Sequence, residues 1–189
     1  MGLVEEGYTL LSPHDVNVQG VVAESLLLLH PLPRRKSFMG SLVVTPAMVA
    51  AVHAVNLSPY LEAYFGHTPS LTSIELFRST PQSAPYRSGQ LWHLDIDYPK
   101  QLKWFVMCRP MTHANGPFTF LSAPHSQQVQ QATGYVPGKS LLDTQINVSP
   151  TIEVVGEPGV SVLVDTSRCL HFGSRVHTGE RIALVVQFV

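Results

Sequence analysis

Residues 160–189 read VSVLVDTSRCLHFGSRVHTGERIALVVQFV. An apolar run stops at Asp165 in a polar turn, a histidine follows at 171, and a second turn leads into a long run opening with Arg181. Side chains alternate faces along a strand. In the last run Arg181, Ala183, Val185 and Gln187 therefore share one face, and Ile182, Leu184, Val186 and Phe188 form a fully apolar opposite face. An arginine on a lined inner face calls for an anion, and its planar fork suits a carboxylate held at two points. A strand-end salt bridge, with Glu180 as the nearest acid, is the plainer reading of Arg181 alone.

The same period of two begins near residue 70. Residues 71–79 place Leu71, Ser73, Glu75 and Phe77 against Thr72, Ile74, Leu76 and Arg78. Further strands are expected over 91–97, 102–108, 117–122, 151–155, 160–165, 169–172 and 181–189. The 15 Pro and 13 Gly cut the chain into short pieces, which suits a sandwich or barrel. Helices are expected ahead of this region. Thr45 can cap one that starts at Pro46, and Ser58-Pro59 can start a second that stops at Gly66. The organisation expected is a single domain over 1–189, with a partly helical supporting segment over 1–69 and an all-β core over 70–189.

Composition narrows the function classes. Only 13% of the 189 residues are charged, and the net charge is −1. That excludes a strongly basic nucleic-acid binder and an acidic disordered tail. The basic triplet Arg34-Arg35-Lys36 reads as a solvated loop. No apolar run reaches the roughly 20 residues of a membrane span. Glu5 and Glu6 stand where a secretory signal would be basic, and Glu6 breaks the myristoylation pattern after Gly2. A cytoplasmic protein is expected, with Cys108 and Cys169 as free thiols.

The segment Trp92-His93-Leu94-Asp95-Ile96-Asp97 carries the chemistry. On a strand His93, Asp95 and Asp97 share a face, while Trp92, Leu94 and Ile96 share the other. An imidazole and carboxylates on an inner face must be paired or bind a cation. Taken with His171, they offer two histidines and one carboxylate, a set that suits ferrous iron with open positions. Asp97 could replace Asp95, and His177 could replace His171. His113 and His125 read as loop residues, and His14, His30, His53 and His67 as surface or helix-end residues. Trp92 and Trp104 read as core aromatics, and Arg78 is a fallback partner for an anion.

The stretch Leu91 to Asp95, the run Asn115-Gly116-Pro117-Phe118, the turn Pro124-His125-Ser126 and the residues Asp165, His171-Phe172-Gly173 and Arg181 together resemble the phytanoyl-CoA dioxygenase family of Fe(II)/2-oxoglutarate-dependent oxygenases. The resemblance covers roughly residues 70–189. It implies a mainly β fold, a double-stranded β-helix (jelly roll, cupin-like) with flanking N-terminal helices. It implies His93, Asp95 and His171 as iron ligands and Arg181 as the partner of the distal carboxylate of 2-oxoglutarate. The reaction implied consumes O2, releases succinate and CO2, and hydroxylates a substrate; the acid at Asp95 favours hydroxylation over halogenation. Low charge and an apolar-rich site strand point to a small, partly apolar metabolite. A non-catalytic or 2-oxoglutarate-independent cupin-type metal-binding protein is the alternative. The chain departs from the family at Gly173, where a hydroxyl residue is common, at Leu91, where a polar residue is common, and at Ala123-Pro124-His125-Ser126, a degraded Pro-Gly-Ser-His turn.

Overall fold

The computed structural model describes residues 2–29, 39–42, 45–148 and 150–189. His30 and the triplet Arg34-Arg35-Lys36 lie outside them. In chain order the elements are α1 (Leu3–Glu6), β1 (Tyr8–Leu11), α2 (Gln19–Leu29), β2 (Met39–Leu42), α3 (Pro46–His53), α4 (Ser58–Phe65), β3 (Leu71–Ser79), β4 (Leu102–Met107), β5 (Thr119–Phe120), α5 (Ala123–Thr133), β6 (Ile152–Glu153), β7 (Ser161–Val164), β8 (His171–Phe172) and β9 (Arg181–Phe188).

Two antiparallel sheets form. The larger runs β1-β7-β4-β9-β3-β2 and the smaller β6-β5-β8. Both edge strands of the larger sheet come from residues before 70. Its long central strand β9 is buried throughout. Ile182, Leu184, Val186 and Phe188 pack with Ile74, Leu76, Trp104 and Val106 against Val21, Met48, Val52 and Leu61 of the helices. Ala183 and Val185 face the other way and join Phe105, Phe118, Phe120 and Val162 between the sheets. A third cluster, with Trp92, Leu94, Leu121, Val129, Tyr135 and Leu170, seats α5 behind the smaller sheet.

The expected helices form for the expected reasons. Thr45 Oγ1 accepts the Met48 N–H at 3.1 Å, Pro46 occupies the first turn of α3, and Gly66 ends α4 at φ 80°. Three expectations are corrected. The strand over 91–97 shrinks to two bridging residues, Trp92 opposite Leu141 and His93 opposite His171. The Asp95 N–H then turns to the Thr166 carbonyl at 3.0 Å, so the ladder ends, and Ile96 emerges 65% exposed instead of joining Trp92 and Leu94. The turn at 123–126 is the first turn of α5, with Pro124 at a position that needs no N–H and Gly134 closing the helix.

Candidate metal centre

The inner faces of the two sheets enclose a cavity of about 170 Å³. His93, Asp95, His171, Lys103 and Arg181 line it, with Ser73, Glu75, Phe77, Phe105, Phe118, Gly173, Ser174 and Val185 among its walls. His93 and His171 stand side by side because their backbones bridge: each N–H donates to the other's carbonyl at 3.0 Å. Their rings lie 4.3 Å apart, centre to centre. One ligand atom from each of His93, Asp95 and His171 falls within 4.8 Å of the others. His93 Nε2 is 3.6 Å from Asp95 Oδ1, and His171 Nε2 is 3.7 Å from Asp95 Oδ2.

Both imidazoles are held in one tautomer. His93 Nδ1 meets the Leu91 carbonyl at 2.8 Å and His171 Nδ1 meets the Cys169 carbonyl at 2.9 Å. A carbonyl only accepts, so each Nδ1 carries a proton and each Nε2 is the ring nitrogen turned toward Asp95. Burial pushes the His171 imidazole down to about 4 against the pull of Asp95, which keeps it neutral at neutral pH. Burial opposes ionisation of Asp95, but His171 and the Lys103 ammonium outweigh it and hold the carboxyl below the usual range. Lys103 Nζ donates to Asp95 Oδ2 at 2.7 Å. Two imidazole nitrogens and one carboxylate fit a divalent transition metal.

Arg181 is 3% exposed. Its NH1 donates to Ser174 Oγ at 3.0 Å, while Nε has no partner and no acid among the described residues pairs with it. Burial lowers its guanidinium to about 10, still fully charged at neutral pH. The strand-end salt bridge falls to another residue: Glu180 pairs with Arg78 at 2.6 Å, which also takes the fallback anion partner out of the cavity. A buried cation with an unmet donor beside the two imidazoles fits a carboxylate ligand.

The competing residues lie elsewhere. Asp97 has a 60% exposed side chain, 3.7 Å from Lys103. His177 is exposed, His113 is exposed and paired with Glu153, and His125 bonds Ser122 at 3.1 Å in α5. His14, His53 and His67 are exposed, whereas Trp92 and Trp104 are buried. Cys108 and Cys169 are free and buried.

Three contributions escaped the sequence reading. Lys103 is the charged residue on the inner face of an apolar strand, beside Phe105 and Met107, and that oddity was a usable signal. Ser174 supplies a hydroxyl next to Arg181, one position beyond Gly173; its φ of 65° is the left-handed turn that brings it there. Ser126 Oγ accepts the Leu170 N–H at 2.8 Å and so fixes the chain immediately before His171.

No protein-family model and no curated protein matches the chain. Solved structures do. AviO1 from Streptomyces viridochromogenes Tue57 aligns over 99% of this chain and 91% of its own, with a TM-score of 0.62 and 15% identity. HygX from Streptomyces hygroscopicus, with nickel, 2-oxoglutarate and hygromycin B bound, aligns over 98% and 84%, with a TM-score of 0.66 and 14% identity. HygX is also known with iron bound. The non-heme alpha ketoglutarate dependent epimerase SnoN from nogalamycin biosynthesis aligns over 99% and 79%, with a TM-score of 0.67 and 16% identity. At these identities the likeness is one of fold: the chain is built on a scaffold that non-heme, 2-oxoglutarate-dependent enzymes also use.

Proposed function

We propose that this chain is an Fe(II)- and 2-oxoglutarate-dependent dioxygenase on a double-stranded β-helix, a distant relative of the phytanoyl-CoA dioxygenases, acting on a small, partly apolar metabolite. The observation that carries the reading is the convergence of His93, Asp95 and His171 within 4.8 Å, in the same cavity as the unpaired Arg181 guanidinium. His93, Asp95 and His171 would hold the metal and Arg181 the distal carboxylate of 2-oxoglutarate. When bound, iron and 2-oxoglutarate would activate O2, the oxidant of the reaction, with one oxygen atom ending in succinate as CO2 leaves and the other in the hydroxyl group proposed for substrate.

The chain's own work is positional. The Leu91 and Cys169 carbonyls aim the two imidazoles, and Lys103 holds one oxygen of Asp95. Ser174 steadies Arg181. Phe105 and Phe118, stacked with ring centres 3.9 Å apart, give the cavity a wall that repels water.

The test is anaerobic metal titration followed by succinate release with Fe(II), O2 and 2-oxoglutarate across a metabolite pool. Ala at 93, 95 or 171 should weaken metal binding and abolish turnover. Arg181→Ala should keep the metal and lose 2-oxoglutarate affinity by about 2–5 kcal/mol, the loss expected when one partner of a buried charged pair is removed. Full activity in His171→Ala would reject the ligand set. Absence of succinate from every mixture would favour the non-catalytic metal-binding alternative.

A further inference from the structure

One charged group of the cavity has no role in holding metal or diacid. Glu75 lies on the inner face of β3 between Ser73 and Phe77, and all three line the cavity. It is partly buried, and among the described residues its carboxylate has no ion pair and no hydrogen bond; only its backbone is paired, in the ladder of β3. The cations nearby are engaged or distant. Lys103 is held by Asp95 at 2.7 Å. Arg181 stands opposite Ser79 in the backbone register, four residues along β3 from Glu75 and about 13 Å from it between backbones, and its guanidinium bonds Ser174.

The register also gives Glu75 an apolar setting. Glu75 stands opposite Val185, and Val185 stands opposite Phe105 on its other side. A partly desolvated carboxylate next to valine and phenylalanine is unfavourable unless a cation completes it.

Resting on the function proposed above, we infer that Glu75 is the substrate-recognition group of this cavity, and that the substrate carries a cationic nitrogen on a partly apolar frame. The cation pairs with Glu75 while the frame lies along Val185, Phe105 and Phe77. Glu75 also repels anionic competitors, so the diacid is directed to Arg181 and the substrate to the β3 side. The two ligands are thereby sorted by charge.

The experiment compares benzylammonium with benzyl alcohol by ligand-observed NMR titration of the full chain, alone and loaded with Co(II) and 2-oxoglutarate. The wild type should bind the amine about tenfold to a hundredfold more tightly than the alcohol, the range for a hydrogen bond to a charged group. Glu75→Gln should lose that preference while still binding Co(II) and 2-oxoglutarate. Equal affinity of the wild type for amine and alcohol overturns the inference, as does a preference that survives in Glu75→Gln. The wild-type comparison alone decides the matter if the variant does not fold. Failure to bind 2-oxoglutarate, by contrast, overturns the proposed function and is read in the same titrations.

Discussion

Asp95 touches Lys103 more closely than it touches either histidine: 2.7 Å against 3.6 and 3.7 Å. The ammonium therefore neutralises the Asp95 carboxylate. Lys103→Met removes that partner and leaves the carboxylate, 15% exposed, with the neutral His171 ring beside it. The metal-free variant should be less stable by about 1–3 kcal/mol, below the roughly 3–5 kcal/mol for a fully buried broken pair because water reaches both groups. Urea melts with and without Co(II) check this, and added metal should restore more stability to the variant than it adds to the wild type. The residue pattern made His93, Asp95 and Arg181 visible because each is a polar group on a strand face that should be apolar. Lys103 obeys the same rule. Its contact with Asp95 was not legible, because Asp95 is carried there by the bond of its N–H to Thr166, just beyond β7, whose Val164 stands opposite Lys103 in β4.

At the scale of elements, the site depends on loops that pass very close to one another. Gly116 has a φ of +74°, and a β-carbon there would lie 2.7 Å from the backbone of Arg175 and Val176. Arg175 in turn stacks on Phe172 at 3.5 Å, donates to the Gln90 carbonyl and pairs with Asp143. This guanidinium ties the segment after β8 to the segments before His93 and after Leu141. Gly116→Ala meets both a left-handed backbone and a backbone clash, so it should destabilise by about 2–4 kcal/mol. The check is a thermal or urea melt, with Co(II) affinity falling in parallel as the loops around the cavity loosen. The sequence marked this glycine only through a family resemblance. Its physical reason lies in a crossing with residues about sixty positions away, which no local pattern encodes.

For the whole molecule, acid is the expected weakness of the metal-free form. The folded chain resists protonating His171 until about pH 4, whereas an exposed histidine takes its proton near 6.5. Between those values the unfolded chain binds a proton that the folded chain refuses, so stability falls as pH falls through the window, by about 3 kcal/mol at 1.36 kcal/mol per unit. Asp95 acts in the same sense lower down, since its folded carboxyl stays ionised below the range where an unfolded aspartate is protonated. Urea midpoints measured from pH 7 to 4 should drop more steeply in the wild type than in His171→Gln; parallel slopes would remove His171 as the cause. Alternation and turn residues alone dictated the β-rich class, the two faces of β9 and the helices opened by Pro46 and Pro59, because those signals act over a few neighbouring residues. The shortening of the 91–97 strand, the helix α5, the Lys103 partner of Asp95 and the solitary burial of Arg181 came only with the tertiary structure. Each is fixed by groups far apart in the chain meeting in a space where every charge must find a partner or a ligand.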